Sequence, residues 1–217
     1  MVDVLKSDEE QAEAVKKWLR ENAGSLLTGL LLGLAVLFGG KAWFQYRERQ
    51  AEAASNQYVQ LALAVERNDE QQAVAFHEAL LKEHSGSVYA VLAALQMARL
   101  QIGLEKPEAA RAQLQWALDH ASEEEHRHIA RLRLARVDIA LGKPEAALEL
   151  LQAPPPAPWQ ALYEEVRGDA ALAMEKYDEA REHYRKALAA LPEDSQARVL
   201  LEAKRDDTLR ETGQKGE

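Results

Sequence analysis

The sequence contains no cysteine. That absence excludes disulfide scaffolds, thiol redox pairs, cysteine-ligated zinc and cysteine nucleophiles. Proline is scarce: seven occur in 217 residues, none before Pro107. β-Branched residues are few, whereas Ala, Leu, Glu, Arg and Gln abound. A chain this poor in strand formers and helix breakers is predicted to be almost wholly helical. Cations are in deficit, 27 Lys and Arg against 36 Asp and Glu, for a formal charge of −9. Neutralising a phosphate backbone takes surplus Lys and Arg, so non-specific nucleic-acid binding is excluded. No G-x-S-x-G occurs, and no strand is predicted that a Gly-rich phosphate loop would follow. The length fits one or two small domains.

One segment departs from the average. Ala23 to Gly40, AGSLLTGLLLGLAVLFGG, holds no charge. Eighteen helical residues rise roughly 27 Å, just under a hydrocarbon core of about 30 Å. Ala42, Trp43 and Phe44 complete the span, with Lys41 able to snorkel to the headgroups. Trp18 before the run, and Trp43 and Tyr46 after it, sit at interfacial depth. A cleaved signal peptide would have a short basic leader and a small-x-small cleavage site. Here the leader is long and carries six acids, and Gly40-Lys41-Ala42 is followed by bulky Trp43. Residues 23–44 are therefore expected to form an uncleaved transmembrane anchor. Residues 1–22 offer four Lys and Arg, against three in the twenty residues after Gly40. That small excess, with a short tail before the anchor and a large domain after it, favours a cytoplasmic N-terminus.

Ser25, Gly29 and Gly33 recur at four-residue spacing within the anchor. Small residues so spaced form a face on which another membrane helix can approach closely. Whether the partner is a second copy or another protein stays open. Before the anchor, Leu5, Ala12, Val15 and Leu19 share one face of an amphipathic helix over 5–20, with Ser7 or Asp8 available as its cap. Residues 1–22 are read as a cytoplasmic tail containing it.

Past the anchor the pattern is helix after helix. Helices are predicted over 45–66, 70–83, from Ser87 to about 102, and over 107–120. Another opens at a Ser122/Glu125 capping box and ends at Leu141. A further helix starts at Pro144, and others follow over 159–174, 177–191 and 192–210. Ala153 to Pro158 reads as a rigid loop. The helix starts repeat: Lys106-Pro107-Glu108-Ala109, Lys143-Pro144-Glu145-Ala146 and Tyr177-Asp178-Glu179-Ala180, at steps of 37 and 34 residues. A helix–turn–helix period of about 34 residues is the tetratricopeptide signature. The third unit fits best, with Gly168, Ala180, Tyr184, Ala187 and Pro192 at the expected places. The second keeps Ala146 and Leu150, the first needs a one-residue slip to Ala110, Leu114 and Ala117, and Tyr58 to Leu81 make a degenerate leading unit. The fold class is thus all-α, one N-terminal transmembrane helix followed by a tetratricopeptide-like solenoid. That domain occupies 45–210, capped by a polar last helix, and 211–217 form a disordered tail.

No catalytic or metal-ligating set is assigned, and no cofactor is expected. His126 and His128 stand two residues apart on a helix and point opposite ways, so they read as surface histidines near a helix start. Arg127, Arg131, Arg133 and Arg136 make one helix basic. Pairing with the acidic helices of the same chain is expected, with an acidic partner as the alternative. Repeat register places Arg131, Asp138, Glu165 and Asp169 along a groove able to take extended segments or partner helices.

The order of these parts carries a resemblance. Glu13-Ala14-Val15-Lys16 leads into a Gly-rich anchor, Leu132-Arg133-Leu134-Ala135-Arg136-Val137 precedes the second unit, and Arg167-Gly168-Asp169 opens the third. In this the chain resembles, over nearly its full length, the YfgM family of bacterial inner-membrane proteins, ancillary subunits of the SecYEG translocon. The resemblance implies a single-pass inner-membrane protein with its repeat domain in the periplasm. It implies association with SecYEG and with a membrane-anchored chaperone of the PpiD type. The implied role is non-enzymatic: passing emerging, unfolded secretory proteins to periplasmic chaperones. A cytoplasmic-side role in restraining a stress-response regulator also attaches to the family. Two competing readings remain: a general envelope scaffold unrelated to the translocon, and an enzyme whose site is assembled from scattered carboxylates.

Overall fold

The computed structural model describes residues 8–214, with side chains over 10–208. Leu5 and Ser7 of the amphipathic lead-in, and the last three residues of the expected tail, lie outside that range. The chain divides into two compact units, one ending at Glu52 and the other beginning at Ala53.

The first unit consists of the leading part of helix α1, which runs from Asp8 to Glu66. Its apolar run is, among the described residues, the one helical stretch long and apolar enough to cross a membrane. Residues 26–38 are exposed throughout. The polar side chains near the start of the run bond their own helix. Asn22 Nδ2 donates to Trp18 O at 2.9 Å, Ser25 Oγ to Asn22 O at 2.9 Å and Thr28 Oγ1 to Gly24 O at 2.8 Å. Such back-bonding leaves no hydroxyl without a partner in hydrocarbon.

The second unit is a stack of helix pairs. The end of α1 is followed by α2 (Glu70–His84), α3 (Val88–Gly103), α4 (Pro107–His120), α5 (Glu124–Ala140) and α6 (Pro144–Leu150). After a short 3-10 turn at Ala157–Trp159 come α7 (Gln160–Ala173), α8 (Tyr177–Ala190) and α9 (Ala197–Gln214). From α2 onward consecutive helices pack on one another, α6 and α7 included although the proline loop separates them. Asp69 Oδ1 and Ser87 Oγ cap α2 and α3, accepting from Gln72 N at 3.0 Å and Ala90 N at 3.3 Å. The capping box expected at Ser122 does not form. Glu123 is the N-cap of α5 and makes no side-chain cap bond. The helix starts one residue later than the motif requires, so Ser122 is out of reach.

One turn is built four times. Asn68, Glu105, Gly142 and Glu175 each take a left-handed backbone, with φ between 55° and 70°. Each donates its N–H three residues back, and the next residue donates five back: Asp69 to Ala64, Lys106 to Gln101, Lys143 to Asp138 and Lys176 to Ala171, at 2.8–2.9 Å. This paired bond closes a helix end by satisfying carbonyls the helix leaves open. The following helix then buries an alanine at a fixed offset: Ala73, Ala110, Ala147 and Ala180, all fully buried. The steps between these alanines are 37, 37 and 33 residues. The register read from sequence therefore shifts at the last unit, to a step of 33 rather than 34. The second unit buries Ala147 and Leu151 in place of Ala146 and Leu150, which are only half-buried. The left-handed turn sets the phase, and the Glu-Ala pair does not.

Four residues beyond each alanine stands a buried larger side chain, His77, Leu114, Leu151 or Tyr184. Leu114 shares its core cluster with Ala98, and Leu151 with Ala135. At the equivalent place opposite Tyr184 the first helix has Gly168. A Cβ there would lie 2.5 Å from Tyr184 Cε1 and 2.7 Å from Cδ1. Pro154 cuts α6 short, so no residue answers to Leu80, Ala117 and Ala187, which bury the next turn of the other second helices.

Gly168→Ala is expected to destabilise this domain by about 1–3 kcal/mol through overpacking, against the roughly 1 kcal/mol that Ala would gain in an open helix. Adding Tyr184→Leu should restore part of that loss. Urea melts followed by circular dichroism test this, and an unchanged midpoint for Gly168→Ala would show that the crossing is not tight.

Candidate functional site

The small-residue face of the anchor is bare. A Cβ added at Gly29 or Gly33 would meet nothing within 4 Å. Ser25, Gly29 and Gly33 are thus exposed among the described residues, the hydroxyl of Ser25 turned back onto Asn22 O.

The expected groove residues fall into three settings. Glu165 and Asp169, one turn apart on α7, are brought together by Lys204 of α9. Its Nζ donates to Glu165 Oε1 at 2.8 Å and to both Asp169 oxygens at 2.9 Å. Arg136 approaches Glu165 Oε2 at 3.5 Å, and the Tyr184 hydroxyl donates to Asp169 Oδ1 at 2.8 Å. Burial opposes the charge on Lys204, but the hydrogen bonds it donates to Asp169 and Glu165 outweigh it and hold its pKa above the usual lysine range. Burial, and then the Asp169 charge, push the Tyr184 hydroxyl far above ordinary tyrosine, so it stays protonated as a donor.

Asp138 has no exposed surface, and its carboxylate takes the guanidinium of Arg111 from α4. The same arrangement recurs where Arg181 of α8 donates to Thr208 Oγ1 at 3.2 Å. Both pairs join a second helix to the next first helix, 27 residues on. The terminal helix α9 therefore occupies the place of a first helix in a further unit.

Arg131 belongs to a separate network. Its Nη1 donates to Tyr163 Oη at 3.1 Å, and His128 Nδ1 lies 2.7 Å from the same oxygen. A guanidinium can only donate, so Tyr163 Oη accepts from Arg131 while it shares a second hydrogen bond with the His128 ring. His128 also stacks on Trp159 at 5.0 Å between centroids. His128 is therefore a buried core residue rather than the surface histidine its position near a helix start suggested. His126 remains near the surface beside Glu123, at 3.1 Å. Next along α7, buried Glu164 receives Arg167 Nη1 at 2.6 Å and contacts His183 Nδ1 at 2.7 Å. Arg167 reaches on to Leu151 O and Ala153 O, fastening the proline loop to α7. Neither network is legible from spacing alone, because each depends on contacts between segments 14 or more positions apart.

Burial lowers the pKa of His128, with Arg131 adding to the effect and Glu124 and Glu125 opposing it. Burial likewise lowers that of His77 against the pull of Glu78. With both folded values below the unfolded value of about 6.5, the unfolded chain binds more protons under mild acid. The stability these groups confer is complete above that pH and is lost as pH falls through it. The midpoint of thermal unfolding is expected to drop between pH 7.5 and pH 5, and His77→Gln/His128→Gln should flatten that slope. An identical slope in the double variant would assign the acid sensitivity to other groups.

A family model described as a tetratricopeptide repeat-like domain matches residues 16–209. A relative from Escherichia coli (strain K12), named ancillary SecYEG translocon subunit, is 31% identical over 172 residues, 79% of this chain and 82% of its own length. A relative of the same name from Neisseria gonorrhoeae is 29% identical over 201 residues, 91% of this chain and 96% of its own. Among solved structures, MamA 41-end from Desulfovibrio magneticus RS-1 superposes with a TM-score of 0.52 at 18% identity, covering 74% of this chain and 88% of that one. That likeness is one of fold alone. With the repeat match spanning anchor and stack alike, and the Escherichia coli relative aligned over most of its length, this chain belongs to the family of ancillary SecYEG translocon subunits.

Proposed function

We propose that this protein is a non-enzymatic, membrane-anchored scaffold that associates with the SecYEG translocon and helps pass secretory proteins to periplasmic chaperones. The observation that carries the reading is the near full-length likeness to relatives named as translocon subunits. Residues 1–22 are cytoplasmic in this reading, 23–44 span the inner membrane, and the repeat domain over 45–210 lies in the periplasm. The anchor raises the local concentration of the repeat stack beside emerging chains. The bare face of Ser25, Gly29 and Gly33 supports a helix-to-helix contact in lipid, because small residues let backbones approach. A chaperone of the PpiD type and unfolded secretory chains are the partners of the repeat domain. Arg131, Glu165 and Asp169 line its groove, while Asp138, wholly buried, fixes Arg111 from behind.

Three measurements test this. Protease added to intact spheroplasts is expected to digest the repeat domain; full protection, with an outer control digested, would sink the periplasmic assignment. The full chain is expected to copurify with SecY in mild detergent, and Gly29→Ile/Gly33→Ile to weaken that recovery without preventing insertion. Copurification with other envelope proteins and never with SecY would favour a general scaffold. If charge reversal at Arg131 and Asp169 leaves every partner contact unchanged, the groove assignment fails.

A further inference from the structure

Most cations of the repeat domain are already engaged. Arg111, Arg127, Arg136, Arg167, Arg185 and Lys204 all pair with carboxylates. Arg99 of α3 and Arg133 of α5 are exceptions: among the described residues neither has an acidic partner. Both are exposed, in a chain with nine more acids than bases, so a shortage of carboxylates is not the cause.

These two arginines, with Arg136, surround a cleft of about 420 Å³ between α3 and α5. Its walls and floor are apolar, formed by Leu95 and Ile102 of α3, Leu114 of α4 and Val137 of α5. The first helices α5 and α7 pack on each other directly. The helices α3 and α5 do not form such a contact and are bridged by α4. Ile102 stands at the cleft with 47% of its surface exposed, the floor beneath it being formed by the buried Leu95, Leu114 and Val137. Although Arg133 is exposed as a residue, its guanidinium is partly desolvated beside the charges of Arg136 and Arg99, and its pKa lies below the usual arginine value. Like charges gathered over an apolar floor repel one another unless an anion stands between them.

We infer that this cleft is a binding site for a peptide segment that presents aliphatic side chains beside carboxylates, the aliphatic groups on the Leu95–Leu114–Val137 floor and the carboxylates on Arg99 and Arg133. Charge complementarity selects the acidic groups, since a guanidinium binds a carboxylate with two parallel hydrogen bonds. The floor selects against purely hydrophilic anions, because a polar group placed there loses water without gaining partners. The volume suits a few side chains and no folded domain. The site uses none of Arg131, Asp138, Glu165 or Asp169, and it stands whether or not the translocon reading does.

The test is fluorescence anisotropy on the full chain in dodecyl maltoside with three labelled eight-residue peptides: EELLEELL, KKLLKKLL and EESSEESS. Saturable binding of the first alone is expected, weakened on the order of tenfold by Arg99→Glu/Arg133→Glu and by salt. Ile102→Asp, at an exposed position, should weaken it as well. Where the double reversal alters the circular dichroism melt, Arg99→Gln alone is read, and a weaker binding is again expected. Equal binding of KKLLKKLL or of EESSEESS would overturn the inference, as would binding indifferent to the arginine variants. Binding of dihexanoyl phosphatidylglycerol without binding of EELLEELL would overturn it in favour of a lipid headgroup.

Discussion

The repeat domain depends on how closely the two helices of each pair cross. Ala98, Ala135 and Gly168 occupy one position of successive first helices, and Leu114, Leu151 and Tyr184 one position of the second. The sizes trade off. Alanine faces leucine, and where the second helix brings an aromatic ring the first has no Cβ at all. Tyr184 then reaches past Gly168 to Asp169, and Asp169 holds Lys204 of the last helix. A single missing methyl thus allows the contact that seats α9 on the stack.

The turn within each pair is the second constraint. It is made four times with the same pair of backbone bonds, although only Gly142 of the four left-handed residues is glycine. Asn68, Glu105 and Glu175 adopt a conformation that costs a residue with a Cβ roughly 1–2 kcal/mol. The bonds that close the helix and the alanine buried five residues later offset it. Because the turn fixes the phase of the second helix, the repeat is more regular in backbone than in side chains.

Charge is distributed to the same end. The acidic and basic side chains along α7 are consumed in fastening neighbours: Glu164 with Arg167 and His183, and Glu165 and Asp169 with Lys204. Two surfaces are left unserved by the chain's own residues. One is the small-residue face of the anchor. The other is the cleft of Arg99 and Arg133.

The sequence by itself determined the elements of this protein. An uncharged run from Ala23 to Gly40 and the near absence of proline before Pro107 define a membrane-length helix and an all-helical chain, because hydropathy and helix propensity are local. The repeat was legible for the same reason: its signals, Gly168, Ala180 and Tyr184 among them, lie within one period. Its phase was not, since Ala146 and Ala147 are equally small and only the backbone turn decides which is buried. The tertiary structure alone decided the fate of the polar residues. Spacing placed Asp138 in a groove and His128 on the surface, yet helices distant in sequence bury both. It also decided which arginines of one basic helix are spent: Glu124, Tyr163 and Glu165 occupy Arg127, Arg131 and Arg136, while Arg133 faces another arginine across an apolar cleft. Whether a charged side chain finds a partner depends on which helices are neighbours, and that is settled only when they pack.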